Sequence, residues 1–130
     1  MGKLILYAVI PCYNEAECLK ETTKRLSQKF DSLIKANKIS NQSKIVYVDD
    51  GSKDQTWNLI ETISTSNKYF IGLKLSRNRG HQNALLAGLM YAREYADVVV
   101  SMAADLQDDI NAIDKMLDKF AEGYEIIYIS

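Results

Sequence analysis

A layered α/β/α sandwich around a mainly parallel sheet is the fold class that this sequence predicts, and three observations predict it. Short apolar runs of strand length alternate with longer segments whose apolar residues recur at helical spacing. The segments between runs are long enough for the right-handed crossovers that join parallel strands. Polar clusters follow the apolar runs, where the carboxyl ends of parallel strands would lie. No repeat interrupts the alternation, and 130 residues suit one domain spanning 1–130.

Leu4 to Ile10 is a near-continuous apolar run closed by Pro11, as expected of a strand covered on both faces. Asn14 and Glu17 have the spacing of a capping box, and Leu19, Leu26, Phe30 and Leu33 continue as one face of a long helix. The polar stretch Asn37 to Ser43 ends that helix, and Ile45 to Val48 reads as the second strand. Thr56, Ile60 and Ile63 mark a second helix, and Phe70 to Leu75 a third strand. Leu85, Gly88, Leu89, Ala92, Tyr95 and Ala96 trace a third helix rich in small residues, suited to lie close on a sheet. Val98 to Met102 is the fourth strand. Ile110, Ile113, Met116, Leu117 and Phe120 then make a fourth helix, with Gly123 as its stop before a fifth strand, Glu125 to Ile129.

Composition removes several function classes. Lys and Arg total 16 against 17 Asp and Glu, so nothing electrostatic points to nucleic acid. Two cysteines and one histidine supply neither a disulfide framework nor zinc-site spacing, which predicts a reducing, intracellular compartment. No apolar run approaches the ~20 residues of a membrane span, so the chain is expected to be soluble. A dinucleotide oxidoreductase needs G-x-G-x-x-G after its first strand, where this chain has Pro11-Cys12-Tyr13-Asn14. A phosphoacceptor receiver domain needs an acceptor Asp after strand three, where this chain has Arg77 and Arg79.

The polar clusters carry the chemistry. Tyr13, Asn14 and Glu15 follow the first strand and Asp49 and Asp50 the second. Arg77 to Gln82 follow the third, and Asp105, Gln107, Asp108 and Asp109 the fourth. All are expected on one cleft. Carboxylates at separate strand ends, with arginines between them, suit a ligand anionic in one part and hydrogen-bond donating in another, as a nucleoside diphosphate is. Asp105 and Gln107 offer hard oxygen ligands for Mg²⁺ or Mn²⁺. Gly80 allows close backbone approach to a phosphate near a helix start. Each feature has another reading. Asp49 to Ser52 also suits a polar turn capping the next helix, and Arg77 and Arg79 also suit solvated surface. Tyr13 suits either base stacking or the core. His81 reads as a helix-start residue and receives no chemistry; Asp108 and Asp109 complement a helix dipole. Trp57 and Cys12 read as core.

"VIPCYNEAECL", "VYVDDGSKDQT", "LSRNRGHQNALLAGL" and "SMAADLQDD", in that order, resemble the nucleotide-binding half of glycosyltransferase family 2. The similar branch is that of polyprenyl-phosphate and dolichyl-phosphate sugar transferases. The resemblance implies a GT-A, Rossmann-like fold, a nucleotide-sugar donor and an inverting displacement assisted by Mg²⁺ or Mn²⁺. It places Pro11, Tyr13 and Glu15 around the base, and Asp50 with Asp49 on base or ribose. Arg79 and Gly80 fall near the diphosphate, and Asp105 with Gln107 on the metal. Where the family usually reads Asp-x-Asp, Ala103-Ala104-Asp105 lacks the first carboxylate, so a nucleotide-binding module with little turnover is the alternative reading. UDP-glucose or UDP-GlcNAc is favoured over GDP-mannose, and a lipid phosphate is implied as acceptor. The resemblance places the catalytic base, acceptor-binding elements and a membrane-associated region after the matched part. The chain is therefore expected to be truncated, with the full-length protein on the cytoplasmic side of a membrane and a homo-oligomer in prospect.

Overall fold

A computed structural model describes residues 3–106 and 110–121. Its elements are β1 (Leu6–Cys12), α1 (Leu19–Lys35), β2 (Lys44–Asp49), α2 (Thr56–Ser66), β3 (Phe70–Lys74), α3 (His81–Ala92), β4 (Val98–Ser101) and α4 (Ala112–Ala121). The four strands pair in parallel in the order β3-β2-β1-β4. Chain order runs outward from β1 to β3 and then jumps back across β1 to β4. The reversal beside β1 is the topological switch point, where ligands of open parallel sheets bind.

Two apolar layers cover the sheet because successive strand residues face opposite ways. Leu6, Ala8 and Ile10 of β1 with Ile45 and Tyr47 of β2 meet Leu19, Leu26, Phe30 and Leu33 of α1, Ile60 of α2 and Ile113, Met116 and Leu117 of α4. Tyr7 and Val9 with Val46 and Val48 face α3, whose Ala84 and Ala92 are buried. The expected three-layer α/β/α sandwich is present, with α3 alone on its face among the described helices. The expected fifth strand and its Gly123 stop lie outside the described residues.

Small residues in α3 let it sit against the strands. A Cβ built on Gly88 would stand 2.3 Å from Val9 Cγ1 and 3.0 Å from Val48 Cγ2. Valine is short and stiff, so neither neighbour can swing clear. Gly88→Ala should therefore lift α3 off the sheet and cost about 1–3 kcal/mol. Urea unfolding followed by circular dichroism checks this, and a midpoint equal to that of the parent chain would refute the close packing.

Two boundaries differ from expectation. β1 continues through Pro11 to Cys12, whose carbonyl accepts the Asp50 N–H at 2.8 Å. The Asn14–Glu17 capping box does not form: α1 starts at Leu19 with Cys18 before it and no side-chain cap. Asn14 is diverted to another task. Its φ is 54°, its N–H donates to Ser52 Oγ at 2.9 Å, and its Oδ1 accepts the Lys53 N–H at 2.9 Å.

Candidate functional site

Asn14 begins a seam between the segments following β1 and β2. Beside its two bonds, the Glu15 N–H donates to Thr56 Oγ1 at 2.8 Å, and the Thr56 hydroxyl donates to Asp54. The same Asp54 carboxylate accepts the Thr56 N–H at 2.9 Å at the start of α2. Asp54 thus does what a cap would do there, and Asp49 and Asp50 are left for other tasks.

The two adjacent carboxylates separate by strand alternation. Asp49 is 1% exposed; its Oδ1 accepts the Ser52 N–H at 3.4 Å, and its Oδ2 has no hydrogen-bond partner. Asp50 points the other way. Its Oδ1 accepts the Arg79 N–H at 2.7 Å, which draws the segment after β3 toward the end of β2. Gly51 makes that approach possible, with φ +70° and a virtual Cβ 2.2 Å from Asn78 N.

These contacts enclose a cavity of about 290 Å³ at the switch point. Pro11, Cys12, Tyr13 and Glu15 form the β1 side, Asp50 the β2 side, and Ala103, Ala104 and Asp105 the β4 side. Asn78, Gly80 and His81 close it at the start of α3. Burial, with the Glu15 and Asp49 carboxylates adding, pushes the Cys12 thiol well up, so this wall atom stays neutral. Burial followed by Glu15 raises the Cys18 thiol as well.

Six of the residues expected at a site therefore come together: Pro11, Tyr13, Glu15, Asp50, Gly80 and Asp105. Two do not line the cavity. Asp49 is turned into the α1 side of the sheet, and Arg79 takes part through its backbone N–H to Asp50, its side chain exposed. Gln107, Asp108 and Asp109 lie outside the described residues. Asn78 and His81 line the wall without having been singled out for chemistry. Their one signal in the sequence was position, flanking Gly80 just before a helix.

A family model described as glycosyl transferase family 2 matches residues 7–130. The chain belongs to this family. Among relatives, it is 51% identical to the uncharacterized glycosyltransferase YkoT of Bacillus subtilis (strain 168) over 124 residues, covering 95% of this chain and 37% of that protein. It is 36% identical to the uncharacterized glycosyltransferase YkcC of the same strain over 129 residues, 98% of this chain and 38% of that one. It is 33% identical to undecaprenyl-phosphate 4-deoxy-4-formamido-L-arabinose transferase of Shewanella sediminis (strain HAW-EB3) over 120 residues, 92% of this chain and 34% of that one. The chain thus spans between 34% and 38% of the length of these relatives.

Family membership supplies the frame for a metal test. Among the described residues, no group of three or more His, Cys, Asp or Glu side chains could hold a metal ion. Asp105 presents an exposed carboxylate on the cavity wall, and Ala103 beside it contributes no oxygen. One carboxylate, with phosphate oxygens brought by the ligand, is a donor set that Mg²⁺ accepts. The residues fit a metal that arrives with a phosphate better than one held by protein alone. Among the described residues, no helix is long and apolar enough to cross a membrane.

Proposed function

We propose that this chain is the donor-binding part of a family 2 glycosyltransferase, which moves a sugar from a nucleoside diphosphate, UDP favoured, to an acceptor by inverting displacement. The observation that carries the reading is the switch-point cavity with Asp50 at one strand end and Asp105 at another. Asp50 accepts from base or ribose donors, with Pro11, Tyr13 and Glu15 around the base. Gly80 lets the diphosphate approach the start of α3, as favours anions. Asp105, with Gln107, would hold Mg²⁺ or Mn²⁺, which when bound neutralises charge on the departing diphosphate. A lipid-phosphate acceptor is the favoured class, since one relative is named as acting on undecaprenyl phosphate. Acceptor binding, the catalytic base, membrane association on the cytoplasmic side and assembly into oligomers belong, in this reading, to the longer protein.

Thermal unfolding with UDP or GDP, each with and without Mn²⁺, tests the reading. A ligand at about 100 times its dissociation constant stabilises by about 2.7 kcal/mol, worth roughly 5–10 °C here. The expected result is a shift with UDP that requires Mn²⁺. No shift with either nucleotide, from chain shown to be folded, would sink the reading. Ala103 on the cavity wall favours a second one, a nucleotide-binding module with little turnover. A UDP shift indifferent to Mn²⁺ would favour that module.

A further inference from the structure

The carboxylate of Asp105 is aimed by a turn, and the turn is held from another layer of the fold. β4 ends at Ser101. Beyond it the Met102 N–H donates to Val9 O at 3.1 Å, and the Leu106 N–H donates to Ala103 O at 3.0 Å. That second bond closes a four-residue turn whose central residues are Ala104 and Asp105. Leu106 leaves the turn at φ 53°, with its side chain buried in the core beside α4. A left-handed non-glycine residue at such a place points to a function for the geometry it enforces.

In a turn of this kind the peptide between the two central residues can lie in the type I or the type II sense; type II would put Asp105 at positive φ, which an L side chain disfavours, and Asp105 is not among the residues with positive φ. A flip between the two senses reverses the carbonyl of Ala104 and changes φ of Asp105, and so redirects the Asp105 side chain. Here that carbonyl is captured. Thr22 Oγ1 donates to Ala104 O at 2.6 Å, and Cys18 Sγ approaches the same oxygen at 3.5 Å. Thr22 stands in the first turns of α1, is 3% exposed, and as a β-branched residue has few rotamers to explore.

We propose that Thr22 is the positioning residue for Asp105: its hydroxyl holds one orientation of the Ala104–Asp105 peptide and so fixes the metal and diphosphate end of the cavity before ligand arrives. The proposal rests on the donor-site reading above. It assigns α1, which lines none of the cavity among the described residues, a part in metal-linked binding.

Calorimetric titration of UDP in Mn²⁺ and in EDTA tests it on the parent chain, Thr22→Val and Thr22→Ser, with urea unfolding alongside. Valine keeps the branched shape and removes the donor; serine keeps the donor. Thr22→Val should lose affinity on the order of tenfold in Mn²⁺, the scale of one buried hydrogen bond, with affinity in EDTA unchanged. Thr22→Ser should recover the Mn²⁺ value. A merely structural threonine would lower both affinities in parallel or only stability, and either result overturns the proposal, as does no change. Should Thr22→Val not fold, Thr22→Cys, a weaker donor, must show the same selective loss at smaller size or the proposal falls. A parent chain that binds UDP without metal linkage overturns this inference and leaves the donor site standing. A folded parent chain that binds neither UDP nor GDP overturns both.

Discussion

Gly51→Ala should unfold the nucleotide site and cost the chain about 3 kcal/mol or more, the largest effect expected of any single methyl group here. Two separate penalties combine. The backbone stands at φ +70°, where an L side chain is strained whatever space surrounds it. The added Cβ would also lie 2.2 Å from Asn78 N and 2.4 Å from the Arg77 carbonyl carbon, which are backbone atoms and have no rotamer to yield. The segment after β3 must therefore move away from the end of β2. Movement there breaks the Arg79 N–H to Asp50 bond and displaces Asn78, Gly80 and His81, one side of the cavity. UDP affinity should be lost beyond detection and the urea midpoint should fall sharply. Gly80→Ala is the matched control for stability alone: its φ is +94° but nothing lies within 4 Å of the added Cβ, so only the conformational penalty of about 1–3 kcal/mol applies to folding. Equal losses of stability from the two substitutions would refute the close approach of the two segments.

Asp50→Ala should weaken UDP binding on the order of 100-fold, while Asp50→Asn weakens it on the order of tenfold. The difference follows from two tasks carried by one carboxylate. One is structural, since Oδ1 accepts the Arg79 N–H and anchors the α3 side of the cavity. The other is the proposed acceptance of a base or ribose donor. Asparagine retains an oxygen for Arg79 and loses the charge-assisted bond to the ligand; alanine loses both and leaves a backbone N–H without its partner. Calorimetry on the two variants, with urea unfolding to confirm that Asp50→Asn leaves stability near that of the parent, separates the tasks. Identical losses for both would mean that the bond to Arg79 adds nothing to UDP binding and that Asp50 acts on the ligand alone. Unchanged affinity in either would remove Asp50 from the donor site.

The layered fold was legible because its signals are local. Strand-length apolar runs, helical spacing in Leu19, Leu26, Phe30 and Leu33, and the small residues of α3 each appear within one window of sequence, and each forms the expected element. The failures are just as instructive. Asn14 and Glu17 have the right spacing for a cap, but spacing does not reveal that Ser52 and Lys53 will compete for Asn14 from a loop 38 residues away. Asn78 and His81 fall on the expected cleft, but their residue types give no sign of which task they have on its wall.

By itself the sequence determined an α/β/α sandwich, the polar clusters at its strand ends and membership in glycosyl transferase family 2, because periodicity and short motifs are written residue by residue. Only the tertiary structure decided how neighbours divide the work. "DD" offers two equivalent carboxylates, yet strand alternation turns Asp49 into the α1 side of the sheet and Asp50 onto the cavity. Arg79 offers a guanidinium, and it is the backbone N–H that reaches Asp50. Thr22 gives no sign of function in its own helix, and its hydroxyl holds a carbonyl 82 residues away. Orientation and long-range contact depend on how the layers pack, and packing is a property of the whole chain that no local pattern contains.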